Sequence, residues 1–176
     1  EAEQATTLLL EQERDRMDAS FLAGGEVSVE NRGVALEHNL SLMDSLHLSA
    51  SGRFDQNDSF DDVKTYRLTA AYELKATGSR LHASLGTGVK NPTLTELFGF
   101  AANFVGNPNL TPESNKGWDA GIEQYLWDDR LTLDATYFRN RVTDLIVGSG
   151  TTAINLEGES PSEGVELSLN AELTED

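Results

Sequence analysis

The chain has 176 residues, enough for one domain with a core of its own, and its 38% hydrophobic content with no run approaching ~18 consecutive apolar residues excludes helical membrane spans. Transmembrane strands stay open, because each needs only ~9–11 residues of which every second one is apolar. Thirty acidic against thirteen basic residues give a formal charge of −17, a field that repels nucleic acid phosphates, and the lack of cysteine removes disulfides and thiolate chemistry while leaving the redox compartment open.

The segment 3–14 reads as a first strand of weak patterning. Val34, Leu36, Leu40 and Leu42 then fall on one face of a second, opposite Ala35, Glu37, Asn39 and Ser41, with His38 interrupting the apolar side. Leu46, Leu48, Ala50 and Phe54 follow after the short join Met43-Asp44-Ser45, which predicts a hairpin. Tyr66, Leu68, Ala70, Tyr72 and Leu74 alternate with Arg67, Thr69, Ala71 and Glu73, a period of two that a helix would scatter. A Gly78-containing join leads to Leu81, Ala83 and Leu85, and this strand ends in glycines at Gly86 and Gly88.

A long loop, 90–116, interrupts the rhythm, and only 93–104 within it could form a short helix, with Gly99 arguing against one. Trp118, Ala120, Ile122 and Leu126 restart the alternation, Trp127-Asp128-Asp129 reverses the chain, and Leu131, Leu133, Ala135 and Tyr137 continue it. A final pair is predicted from 145–154 against 164–171, the latter alternating Val165, Leu167 and Leu169 with Glu166, Ser168 and Asn170. The whole is all-β, an antiparallel up-and-down meander of about eight to ten strands. No linker or second domain interrupts 1–176.

The acids gather in the joins at 55–62, 128–129 and 157–163, as expected for wet turns between strands. His38, His47 and His82 match no paired-histidine metal motif, so polar-face or surface positions are expected of them. The acids at Asp58, Asp61 and Asp62 lack the glycine and glutamate offsets of a calcium loop, and no Gly-x-Ser-x-Gly or Ser/His/Asp arrangement appears. No catalytic residue, cofactor or metal site is predicted. Alternation alone fits a soluble binding or adhesion sandwich or barrel, a small stand-alone outer-membrane barrel, or part of a larger barrel.

Three stretches separate these readings. Lys90-Asn91-Pro92 with Glu96-Leu97, Gly106-Asn107-Pro108 with Pro112-Glu113, and Gly164-Val165-Glu166 stand in an order and spacing that resembles the barrel portion of TonB-dependent outer-membrane receptors. The segments 117–126 and 135–146 are similar to the family's next two strands. Asn91 stands where the family more often has alanine.

The resemblance implies part of a transmembrane β-barrel in a bacterial outer membrane, in a receptor importing a metal chelate or vitamin-like ligand. Such barrels run to about 22 strands around a plugged lumen, so the chain is expected to be a fragment. Plug, first barrel strands and terminal aromatic have no counterpart, and the tail 170–176 ends in acids. Expected partners are outer-membrane lipid, the remaining barrel and plug, and a small-molecule ligand. Tyr66, Tyr72, Trp118 and Trp127 would mark the interfaces. An open arc of strands is expected either to self-associate through its edges in water or to curl into a small closed sheet.

Overall fold

The computed structural model describes residues 2–20, 25–101 and 103–172; the last part of the tail considered above, 173–176, lies outside them. The strands are β1 (Ala2–Asp18), β2 (Glu26–Leu42), β3 (Leu46–Asn57), β4 (Val63–Leu74) and β5 (Ser79–Lys90), followed by a short helix α1 (Leu94–Phe98). Then come β6 (Glu113–Leu126), β7 (Leu131–Thr143), β8 (Ile146–Ser149), β9 (Thr152–Asn155) and β10 (Glu159–Ala171). Among the described residues one antiparallel sheet runs in the order β1-β2-β3-β4-β5-β6-β7-β10, and β8 and β9 form a separate pair.

The alternation read from the sequence becomes continuous rows across this sheet. Ala2, Leu42, Leu46, Tyr72, Leu81, Ile122, Ala135 and Leu167 pair in turn across all eight strands on one face. One residue along, Glu3, Ser41, His47, Ala71, His82, Gly121, Thr136 and Glu166 make the matching row on the other. No second sheet covers the apolar face among the described residues, as a sandwich requires, and its side chains stand open, Leu10 at 72% and Leu167 at 79%.

The rows are slanted relative to the apolar band. Ala50, Leu68 and Leu85 continue in register into Trp118, Arg139 and Glu163, so one hydrogen-bonded row passes from apolar through aromatic to charged. Strands tilted against a slab of hydrocarbon produce this stagger, the shear that a closed barrel needs.

Tight reversals lie at one end. Met43 and Asp44 at φ 52 and 51 form a primed turn closed by Ser45 N–H to Leu42 C=O at 3.2 Å, matching the twist of the flanking strands. Residues 75–78 and 127–130 make the other two joins there, each closed by a backbone bond, Thr77 N–H to Leu74 C=O and Arg130 N–H to Trp127 C=O. The connections between β1 and β2, β3 and β4, β5 and β6, and β7 and β10 all lie at the opposite end, and the last two of these are long. There β1 and β2, at 17 residues each, run on the order of 56 Å, about twice the ~25 Å apolar band of a membrane barrel. Their far ends are held by polar pairs such as Arg16–Glu26 at 2.6 Å and Arg14–Ser28 at 3.2 Å, and in the sequence only the brief alternation of Val27 and Val29 marks them.

Two expectations need correction. Segment 145–154 does not pair with 164–171: β8 and β9 pair with each other and β10 pairs with β7. Ile146 and Ala153 bury themselves against α1 and the loop before β6, so their apolar positions serve a small satellite core and not the wall. Gly99 does not disrupt a helix but ends it, as the C-cap of α1 at φ 83.

Candidate functional site

The fold creates two places where chemistry-bearing groups converge: a folded knot above the strand ends of β5–β7, and the polar face of the sheet. The knot starts where β5 runs into Pro92, which is buried. Thr93 caps α1 with a reciprocal capping box, its N–H donating to Glu96 Oε2 at 2.7 Å and its Oγ1 accepting from Glu96 N–H at 3.3 Å. Glu96 C=O then accepts the Asn107 N–H at 2.8 Å, folding the Gly-Asn-Pro turn back over the helix. Gly106 is needed for this approach, since a Cβ there would overlap the backbone of Leu97, Phe98 and Gly99.

Asn107 links the turn to the β8–β9 pair through Nδ2 to Ala153 C=O at 2.9 Å. Val105 N–H donates to Thr151 C=O at 2.7 Å. Asn155 answers from the other side, donating to Thr111 C=O at 2.9 Å and Asp144 C=O at 2.6 Å while its Oδ1 accepts Thr111 N–H at 2.9 Å. Leu97, Leu110, Ile146 and Ala153 are buried together, with Phe60 and Phe104 packed on them. At the base, Glu113 Oε1 accepts both Lys90 Nζ and Ile146 N–H, each at 3.0 Å. Asn91 donates to Asn57 Oδ1 at 2.9 Å, so the residue that departs from the family's alanine ties the loop to the end of β3.

Of the residues singled out in the sequence, Lys90, Asn91, Pro92, Glu96, Leu97, Gly106, Asn107, Pro108, Pro112 and Glu113 thus gather at this one rim, with Pro108 exposed at the turn and Pro112 leading into β6. Gly164 and Glu166 stand apart in β10, where Gly164 lies under the Phe138 ring and Glu166 pairs in register with Thr136. Asn155 and the β8–β9 pair were missed. The only available signal was an asparagine closing a four-residue strand, which is indistinguishable from a turn residue.

The polar face is a second constellation. His82 Nε2 lies 2.8 Å from Asp134 Oδ2, and Thr136 Oγ1 donates to Asp134 Oδ1 at 2.8 Å. Both approach over Gly121, where a Cβ would collide with the imidazole and the threonine hydroxyl. Ser84 hydrogen-bonds Asp119, Ser41 meets His47 Nδ1 at 3.0 Å, and Arg80 and Tyr125 both donate to Glu123 Oε2, at 3.2 and 2.7 Å. Of these groups Ser41, His47, Arg80, His82, Ser84 and Asp119, together with Arg67, line an open hollow of about 390 Å³. Among the described residues His82 is engaged with Asp134 and Ser84 with Asp119, so these side chains form a hydrogen-bonded wall. His38 stands on the other face, 2.9 Å from Thr6 Oγ1.

One wet face, one open apolar face, staggered rows and tight turns at a single end define a section of membrane β-barrel wall. The family profile described as "TonB dependent receptor-like, beta-barrel" matches residues 14–174, and the chain belongs to that family. Among solved structures it is similar to the siderophore receptor PirA from Pseudomonas aeruginosa, at 25% identity and TM-score 0.86, over 98% of this chain and 34% of that one. A variant of the ferric enterobactin receptor PfeA from the same organism, solved with enterobactin, is 23% identical at TM-score 0.81, over 99% and 32% of the two chains. The copper transporter OprC is 21% identical at TM-score 0.68, over 84% and 27%. The chain therefore spans about a third of the receptors it matches. These are transport receptors and not enzymes, and they belong to an outer-membrane family.

Proposed function

We propose that these residues form part of the wall and outer rim of a TonB-dependent receptor in the bacterial outer membrane, which imports a siderophore-like metal chelate or vitamin-like molecule. Residues 1–176 belong to its barrel domain, and the plug and remaining strands close the lumen from outside this segment. The observation that carries the reading is the uncovered apolar face, bounded by Tyr66 and Trp118 toward one end and by Tyr72 and Trp127 toward the other. Hydrocarbon is the solvent such a face fits, and the backbone pairing along β2–β7 leaves the ladder satisfied there.

The long connections then face outside and the tight turns face the periplasm, as membrane barrels arrange them. This puts the knot built on Lys90, Glu96, Asn107 and Glu113 at the mouth, where it acts as a rigid part of the rim; α1 comes close to β1, β2 and β9. The role of the shared motif is structural: it folds the loop. The likeness to a receptor solved with enterobactin supports a chelate as the ligand. The test is labelling of intact cells with a membrane-impermeant maleimide, using the full receptor with Phe100→Cys or Asp128→Cys. Labelling at Phe100→Cys alone, with growth on ferric chelate under iron starvation dependent on the receptor, supports the reading; labelling at Asp128→Cys alone inverts the topology and rejects it.

A further inference from the structure

We propose that the outward face of β1–β3 is a contact surface between two copies of the receptor, related by a two-fold axis along the membrane normal and joined at His38. This rests on the barrel-wall reading, since only in a bilayer does that face meet hydrocarbon. Along β2 the outward positions run Leu42, Leu40, His38, Leu36 and Val34 before the charged Arg32, so the imidazole stands in the middle of the apolar band. Ionisable side chains are rare at such depth, and the surroundings supply a partner for them. His38 has one on a single side: Nδ1 lies 2.9 Å from Thr6 Oγ1, directly opposite on β1, while Nε2 makes no hydrogen bond among the described residues. Hydrocarbon offers Nε2 nothing, whereas the same imidazole on a second copy does. Where Thr6 donates to Nδ1, Nε2–H is a donor; where Nδ1–H donates to Thr6, Nε2 is an acceptor. Two copies in these alternative tautomers bond Nε2–H to Nε2, with each threonine hydroxyl still engaged.

The strands flanking β2 complement each other in size, as a two-fold contact requires. An axis beside His38 sets β1 of each copy against β3 of the other. On β1 the outward Leu8 and Leu10 protrude, 63% and 72% exposed. On β3 the outward positions are Ala50 and Gly52, and nothing lies within 4 Å of where a Gly52 Cβ would stand. A hollow of about 420 Å³ opens beside His38 over Ala50, Ala70 and Ala83. Depth matches as well. The aromatic positions fall by one outward row from Tyr66 on β4 to Trp118 on β6, and the same slant over two strands brings Leu8 level with Ala50 and Leu10 level with Gly52. One chain thus carries both halves of its own complement, which an unrelated partner would not require. Lipid-facing surfaces gain little by leaving lipid, so close packing over small residues and a polar bond drive their association. Three strands ~4.8 Å apart across a ~25 Å band offer roughly 700 Å² over both copies, below the ~1,000 Å² of a standard specific interface, so the dimer is weak and reversible.

The test uses the full receptor, labelled at Phe100→Cys and reconstituted into phosphatidylcholine vesicles over a range of protein densities, with the dimer fraction read by single-molecule photobleaching. A density-dependent dimer is expected. His38→Leu should lower its association constant about threefold to tenfold, and His38→Gln, which keeps a donor and an acceptor, should retain most of it. Gly52→Leu fills the open space without a clash inside the chain and should abolish the dimer. Exchanging the sizes in one chain, Leu8→Ala with Ala50→Leu, should restore what Ala50→Leu alone removes. Heat-modifiable gel migration is followed in parallel as the mark of a closed barrel. A wild-type receptor that migrates as a barrel yet stays monomeric at every density has only lipid on this face, which overturns the dimer and leaves the wall reading standing. A dimer unchanged by both His38→Leu and Gly52→Leu forms through another face and overturns the surface proposed. A wild-type receptor without heat-modifiable migration overturns the wall reading itself.

Discussion

Glu113 is the joint on which the outer knot turns, and removing its carboxylate tests whether the shared motif works by folding the loop. Its side chain is only 12% exposed, and one oxygen accepts from both Lys90, 55% exposed, and the Ile146 amide, whose residue is buried. The two bonds are unequal. The ion pair to an exposed lysine contributes ~0–1 kcal/mol, whereas a hydrogen bond from a buried amide to a charged acceptor contributes ~1.5–3 kcal/mol, and an orphaned buried amide carries its own desolvation penalty. Glu113→Ala should therefore destabilise the knot by about 2–3 kcal/mol, and Glu113→Gln, which keeps an acceptor, by roughly 1 kcal/mol. Lys90→Met should cost less than ~1 kcal/mol. The assay is native-state hydrogen exchange in the full receptor, reading the amides of β8 and β9 against those of β6 and β7. Protection should fall in β8–β9 by about thirtyfold or more for Glu113→Ala, with β6 and β7 unchanged. If Lys90→Met matches Glu113→Ala, the ion pair and not the buried amide governs the joint, and the reasoning fails.

Replacing Gly106 by valine should detach the Gly-Asn-Pro turn from α1, seen as proteolytic cleavage within 99–110 while heat-modifiable migration persists. Leu97→Ala, deleting a side chain of the satellite core, should cost ~2–5 kcal/mol locally and raise exchange in α1 and β8–β9 together; loss in α1 alone would contradict the shared core. Ile122→Lys places a charge on the lipid face and should cost ~2–4 kcal/mol in barrel folding, while Thr136→Lys on the wet face should be tolerated, as refolding yields into vesicles can measure. The isolated chain, with β1 and β10 as open edges, should elute in detergent-free buffer as dilution-sensitive oligomers by light scattering; a stable monomer rejects edge pairing.

The wall was legible in the sequence because its signal repeats: each strand must put apolar groups on one face for its own sake, so Tyr66 to Leu74 or Leu131 to Tyr137 reads alone. Hairpins at 43–45 and 127–129 were legible through their short polar joins. The knot was only half legible. Its motif residues could be found, but that Ile146 and Ala153 leave the sheet to meet Leu97 and Leu110 depends on contacts distant in sequence, and their local alternation is the same as that of a wall strand. The ends 15–18 of β1 and 26–33 of β2 lie outside the strands read from the sequence, because apolar groups are sparse there: Val27 and Val29 alternate with Glu26, Ser28 and Glu30, and the pattern breaks at Asn31. The hollow lined by His47 and His82 was foreseen only as polar positions, since the closeness of Asp134 to His82 follows from a glycine on the strand between them.

The slant of the rows has a practical meaning for anyone probing this protein in a membrane. Depth and ladder position are different coordinates here. Thr6, Leu85 and Glu163 belong to one hydrogen-bonded row, yet the first two lie beside apolar neighbours and the last beyond the aromatic girdle. Spin labels placed at equal distances from the tight turns would report unequal immersion, β1 crossing the hydrocarbon near Leu8 and Leu10 but β10 near Val165 to Leu169. Depth measured strand by strand would thus yield the tilt angle directly, and with it a constraint on how many strands the closed wall contains.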